Sequence, residues 1–292
     1  MASSKGRLLD AALLRSQEAE RCGALVPLET EIVAVPGCEP FVLRRLLSET
    51  PKHLRSAGPK PNPFLPWDPA LEVERLSDEH VLILNKFPVQ RGHVLLIPQR
   101  WQPQSGWLSP LDWQTLADVE ADTPGLWFFN SCAAAGASQP HRHLQLLPRS
   151  HGEPSCPLAQ ACEAQLQGTA PRWPWHYRLS PREHCGGAQA AAELLALYER
   201  HQRELGLGSP QQHPQPLHPY NLVVEPNWFM TVVRSQEHWA GLSINALGFA
   251  GCLLITPESD VAWLQSQGPL ALLAAVAGQR NGLRGFSDAF QA

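Results

Sequence analysis

The chain has 292 residues, 43% of them hydrophobic, enough to fill one large core or two modest ones. A formal charge of −4 excludes a broad nucleic-acid surface, which needs an excess of Lys and Arg, but leaves room for a small anion held by local charge. No apolar run reaches the roughly 18 residues of a membrane span, and seven irregularly spaced cysteines with no apolar leader ahead of them are expected as reduced thiols in a cytoplasm.

In chain order, Leu8 to Cys22 carries apolar residues at helical spacing and predicts an amphipathic helix. Thr30 to Val35 and Phe41 to Leu46 predict strands around the turn pair Pro36-Gly37. Prolines at 51, 59, 61, 63 and 66 predict an extended segment. His80 to Phe87 and Gly92 to Pro98 predict a hairpin, with Asn85 and Lys86 at the rim and His93 as a satisfied structural histidine. Ser109 as N-cap and Pro110 at the first helical position open a helix to about Asp122, which Pro124-Gly125 ends.

Residues 150–187 read as a lid or crossover in which Trp173, Trp175 and Tyr177 stack on a base or anchor a loop. Ala188 to Leu205 predicts a helix, and 208–219, with four prolines, a linker. Tyr220 to Val224 and Trp228 to Val233 predict a second hairpin, followed by an apolar run from Ser243 to Thr256, a closing helix to about Ala277 and a frayed end. The domain division drawn from this pattern is 1–207 and 208–292.

Trp127 to Pro148 is the stretch that carries chemistry. It reads as an apolar strand, a loop of small residues around Gly136, and a second strand from His141 to Leu147. Alternation puts His141, His143 and Gln145 on one face and Arg142, Leu144 and Leu146 on the other. The small loop can turn several N–H groups toward one anion. A solvated face or a structural metal pair are the plainer readings. No Cys-x-x-Cys or His-x-x-x-His accompanies the histidines, so phosphate moves ahead of zinc.

Asn130-Ser131 followed by Gly136-Ala-Ser-Gln-Pro-His-Arg-His-Leu-Gln145 resembles the signature of the diadenosine tetraphosphate phosphorylases, also called ATP adenylyltransferases, of the histidine-triad superfamily. Lys60-Pro-Asn-Pro-Phe-Leu-Pro-Trp-Asp68, His80 to Phe87, Pro219-Tyr-Asn-Leu-Val-Val224 and Ser243 to Gly251 resemble the same family in the expected order. The resemblance runs from about Phe41 onward. It implies an α+β, histidine-triad-like fold: a mainly antiparallel sheet with flanking helices, with room for two half-sheets as in the related galactose-1-phosphate uridylyltransferases.

The resemblance also implies a phosphorolysis of diadenosine tetraphosphate to ATP and ADP through a covalent adenylyl group on His143. By the same resemblance Asn85 and Lys86 contact the nucleotide's sugar or phosphates, and Lys52 or Lys60 supplies a phosphate contact. Gly136, Ala137, Ser138 and Gln139 would hold developing charge, Asn130 a ribose or α-phosphate, and Gln145 a non-bridging oxygen. His141 would hold a phosphate oxygen or orient His143. Asn221, Met230 and Arg234 are candidates for the second nucleotide or its distal phosphates.

A divalent cation, Mg2+, is expected to travel with the polyphosphate, and no metal ligands are named. Dinucleoside polyphosphate, ATP, ADP and inorganic phosphate are the expected partners, with no nucleic acid, no membrane and a monomeric chain. The rivals are a sugar-1-phosphate nucleotidyltransferase, which usually has Pro where Arg142 stands, and a dinucleotide sensor without turnover.

Overall fold

The computed structural model describes residues 6–48, 62–149 and 154–279. Lys52, Lys60 and the end of the chain from 280 lie outside them.

The centre is an antiparallel eight-stranded sheet. Its members are β3 (Glu72–Arg75), β4 (His80–Leu84), β5 (Val94–Pro98), β6 (Gly125–Asn130), β7 (Leu144–Pro148), β8 (Tyr177–Pro181), β9 (Tyr220–Glu225) and β10 (Trp228–Val233). The order across it is β3-β4-β5-β7-β6-β9-β10-β8. Strands 4, 5, 6, 7, 9 and 10 are buried at every position, because both faces are covered, and so read as apolar runs. Phe129 pairs with Leu222 at the β6–β9 joint, which makes one continuous sheet across the 207/208 division.

One face packs on α1 (Arg7–Arg21), α2 (Pro110–Asp122) and α4 (Gly187–Glu204), around Trp113, Trp127, Tyr198 and Phe229. Ser109 caps α2 with Pro110 in the first turn, as the sequence predicts, and Asp112 completes a capping box with Ser109. The opposite face carries two separate apolar groups. Val81, Ile83, Leu95 and Ile97 of β4 and β5 pack with Phe64. Further along, Phe128, Val223 and Met230 pack beneath a layer of β12 (Leu242–Ser243), α5 (Ala246–Phe249) and β13 (Cys252–Ile255), and the exposed β11 (His238–Trp239) pairs with β12. Strand β13 joins β1 (Thr30–Val33) and β2 (Val42–Leu46) in a three-stranded sheet. The interval between the two apolar groups lies over β5, β7 and β6, and it holds the histidines.

Three expectations change. The 150–187 stretch holds a helix, α3 (Ala159–Leu166), and the edge strand β8. Its aromatics anchor it, with Trp173 and Trp175 stacked at 5.3 Å inside the second core. The apolar run after Ser243 breaks into β12, α5 and β13. The closing helix divides into α6 (Val261–Gln267) and α7 (Pro269–Val276), because Gly268 takes φ +81° and Pro269 has no N–H to continue α6.

Candidate active site

Strand β7 pairs from Leu144, three residues after the predicted start. His141 instead bridges to Pro103, and the side chain of Gln104 takes the place of the ladder between Asn130 and His143. Gln104 Oε1 accepts the His143 N–H at 2.8 Å, while its Nε2 donates to Asn130 O at 2.6 Å. The loop carrying Gln104 thereby fixes the position of His143.

His143 is 3% exposed, on the face between the two apolar groups. Its Nδ1 lies 2.8 Å from the carbonyl oxygen of His141, an acceptor only, so the proton sits on Nδ1 and Nε2 keeps its lone pair. Burial pushes its pKa down to about 4, which keeps the ring neutral at physiological pH. Phe64 packs at 5.4 Å and limits ring rotation.

Two amides next to His143 have their oxygens occupied by the protein. Asn130 Oδ1 accepts from Asn221 Nδ2 at 2.8 Å and from the Ala246 N–H at 2.9 Å, and Asn130 Nδ2 has no partner among the described residues. Gln145 Oε1 lies 3.1 Å from His93 Nε2, which leaves Gln145 Nε2 without a partner among the described residues. Both present N–H groups, the chemistry that an anion requires. Arg142 points to the other face, where its Nη1 meets Asp112 at 2.9 Å and His80 bonds the same carboxylate at 2.9 Å. Burial pushes the Asp112 carboxyl up, but the His80 bond and the Arg142 charge outweigh it and hold it below the usual range.

The small-residue loop folds differently from the four-amide cradle expected of it. Ala133–Ala135 form a 3-10 turn that takes the Gly136 N–H to Ala133 O and the Ala137 N–H to Cys132 O. The Ser138 and Gln139 N–H groups remain without partners among the described residues, and Gln139 Oε1 is buried and unpaired there. The cradle therefore narrows to 138–139. Gly136 is needed for φ +86° and for close approach, since a Cβ there would lie 2.7 Å from Asn245 Cβ.

Of the two roles expected of His141, holding phosphate or orienting His143, its bonding favours the second. Its Nε2 bonds Pro98 O at 2.9 Å and its Nδ1 accepts the Gln102 N–H at 3.3 Å, so it orients His143 through its carbonyl and has no ring nitrogen left for phosphate.

Asn221 and Arg234 are tied inward. Arg234 Nη1 donates to Asn221 Oδ1 at 2.5 Å and to Ala135 O at 3.3 Å, while its Nε and Nη2 donate to Val276 O and Gln236 O, so four of its five N–H groups are engaged within the fold. Met230 shares a row with Val223, Phe128 and Gln145, three strands from Gln145, and is fully buried beneath the covering layer. Asn85, at the end of β4, bonds the Phe87 N–H and His93. Lys86 is exposed, with its ammonium 6.0 Å from the Phe87 ring centroid. Gln104 and Trp101, which is half exposed and stacked on His141 at 5.4 Å, carry no sequence signal of their own.

The profile of the Ap4A phosphorylase N-terminal domain matches residues 1–164, more than half of the chain, and that of the ATP adenylyltransferase C-terminal domain matches residues 171–279. The chain belongs to the Ap4A phosphorylase family. Its curated relatives from Saccharomyces cerevisiae include Protein APA1, 41% identical over 73 residues, and diadenosine 5',5'''-P1,P4-tetraphosphate phosphorylase 2, 35% identical over 80 residues. These matched stretches span about a quarter of the length of the relatives, 23% and 25%.

Among solved structures, yeast Ap4A phosphorylase Apa2 superposes with a TM-score of 0.68 at 20% identity, covering 94% of this chain and 96% of that one. The same enzyme in complex with Ap4A gives 0.66 at 21% identity, over 90% and 96%. The Ap4A phosphorylase fold is thus shared over nearly the whole chain. Both matched parts of this family member meet at Asn130, through Asn221 and Ala246.

Proposed function

We propose that this chain catalyses the phosphorolysis of diadenosine tetraphosphate, through a covalent adenylyl group on His143. The observation that carries the reading is the neutral His143 ring with its proton directed into His141 O and its Nε2 lone pair free, flanked by the amides of Asn130 and Gln145.

In the first step Nε2 attacks the α-phosphorus, the bond from that phosphorus to the bridging oxygen breaks, and ATP leaves. The ring gains positive charge, and the Nδ1–H bond to the His141 carbonyl strengthens to hold it. Asn130 Nδ2, Gln145 Nε2 and the Ser138 and Gln139 N–H groups face the oxygens on which charge develops, each well-placed donor contributing about 3 kcal/mol. In the second step an oxygen of inorganic phosphate attacks the same phosphorus, the N–P bond breaks, and ADP and free His143 result. A glutamine at 145 cannot carry a proton from water, which supports phosphate over water as the acceptor.

The donor set around His143 suits an anion, and among the described residues no group of three or more His, Cys, Asp or Glu could hold a metal ion. As an expectation from the chemistry of polyphosphates we assign Mg2+ to the substrate, where it would neutralise charge. No helix among the described residues is long and apolar enough to cross a membrane. All seven cysteines are free, which supports a reducing compartment such as the cytoplasm.

The test is product analysis with diadenosine tetraphosphate and Mg2+, with and without phosphate, beside His143→Ala. ATP and ADP formed only with phosphate and lost in the variant are the expected result. AMP and ATP formed without phosphate would mean hydrolysis. No turnover, with UDP-sugar controls also silent, would leave a sensor.

A further inference from the structure

Gln145 is useful to the proposed reaction only if its amide faces one way, with nitrogen toward the phosphoryl group. An amide on a strand has two orientations of equal shape, and something must choose between them. The choice is made by His93 on the adjacent strand, whose ring packs beside Asn85. The main-chain N–H of Phe87 can only donate, and it meets Asn85 Oδ1 at 3.0 Å. That turns Asn85 Nδ2 toward the His93 ring, nearly equidistant from Nδ1 at 3.3 Å and Nε2 at 3.5 Å, so it supports the ring without choosing its tautomer. Gln145 Oε1 can only accept, so its contact with Nε2 places the proton of the neutral ring there. Nε2–H points at Gln145 Oε1, 3.1 Å away. A flipped Gln145 would set N–H against N–H in a buried place.

We propose that His93 is a positioning residue for the transfer reaction: its Nε2–H locks the Gln145 amide with Nε2 toward the phosphoryl group on His143. His93 is 2% exposed, on the same sheet face as His143, and packs on Phe128 with ring centroids 5.9 Å apart. Burial pushes it down to about 4, so the ring keeps the single proton that the lock needs. The satisfied structural histidine of the sequence thus acquires a direction, because its Nε2–H decides which end of the Gln145 amide faces the site. The proposal rests on the adenylyl-transfer reading.

Two measurements test it. The first needs no activity: nitrogen-15 shifts of His93 in uniformly labelled protein report which ring nitrogen carries the proton. Protonated Nε2 is expected, and protonated Nδ1 overturns the proposal even if the enzyme turns over.

The second is a cycle of His93→Leu, His93→Gln, Gln145→Ala and the doubles, read as kcat and KM. His93→Leu should lower kcat about 10- to 100-fold with KM changed far less, and His93→Gln, whose amide can still donate, should recover part of it. In the Gln145→Ala background His93→Leu should cost nothing more. Equal losses in both backgrounds would make His93 merely structural. If His93→Leu does not fold, the comparison of His93→Gln in the two backgrounds and the nitrogen shifts decide. An inactive wild type with protonated Nε2 would sink the transfer reading and leave the lock standing.

Discussion

Gln104 holds His143 and Asn130 at once, accepting from the His143 N–H at 2.8 Å and donating to Asn130 O at 2.6 Å. Gln104→Leu leaves both main-chain groups buried and unpaired, at about 1 to 3 kcal/mol each. We expect a lower urea midpoint together with a lower rate of His143 adenylation. A variant as stable as the wild type would show that the two strands close up without the bridge.

Asn130→Asp separates donation from architecture. Both donors to Oδ1, from Asn221 and Ala246, keep an acceptor, so the fold should hold to within about 1 kcal/mol. The Nδ2 donor is replaced by a carboxylate oxygen facing phosphate, and kcat should fall at least 100-fold, by the usual cost of a lost oxyanion donor of roughly 10²–10³. Retained activity would remove Asn130 from the donor set.

Acid sensitivity follows from buried imidazoles. Burial pushes His143 and His93 down to about 4 and His201 to about 3. Between the ordinary histidine pKa near 6.5 and these values, the unfolded chain holds protons that the folded chain refuses. Stability is therefore full above about pH 6.5 and falls as pH drops toward 4, at up to about 1.4 kcal/mol per pH unit for each histidine. The Glu225 carboxyl, pushed up chiefly by burial, acts in the opposite sense, but His141 and His218, both lowered chiefly by burial, add to the three. Urea midpoints at pH 7, 6 and 5 should fall in that order. In the same window kcat/KM of surviving enzyme should stay level to about pH 5, whereas an ordinary histidine nucleophile would lose half its activity near 6.5.

Gly136→Ala should cost about 1 to 3 kcal/mol, since φ +86° strains an L side chain and the new Cβ meets Asn245 and Ile244 O. Gly168→Ala, at φ +72° with nothing within 4 Å, should cost only the backbone part, about 1 kcal/mol. Thermal midpoints of the pair isolate the contact, and equal shifts would mean that the loop moves aside freely.

The elements that the sequence revealed are those whose cause is local. The Ser109-Pro110 start of α2, the α1 helix, the two hairpins and the His-Arg-His-Leu-Gln alternation depend on neighbours in the chain, and each appears within a few residues of its expected place. The parts that were hidden depend on distant partners. Gln104 looks like an ordinary loop residue until Asn130 and His143 come together on either side of it. The ring of His141 reads as a ligand until Pro98 and Gln102 claim both nitrogens. Gly136 looked like a phosphate residue because glycine serves close approach of any kind, and the approaching group is Asn245. Strand β8 was hidden because Tyr177–Pro181, at the sheet edge, lacks the continuous apolar run of the central strands.

The pairing of Phe129 with Leu222 and the bond from Ala246 to Asn130 place a seam through the middle of the candidate active site. Cut between the two matched parts, the chain would yield a first fragment ending its sheet at a bare β6 and a second beginning its sheet at a bare β9, each with an open edge. Neither fragment alone could aim the Asn130 amide. Catalytic competence would return only when the fragments recombined, so it would follow second-order kinetics in fragment concentration. In this architecture the active site belongs to an internal interface, and the chain's covalent continuity serves to keep the two sides of that interface at high effective concentration.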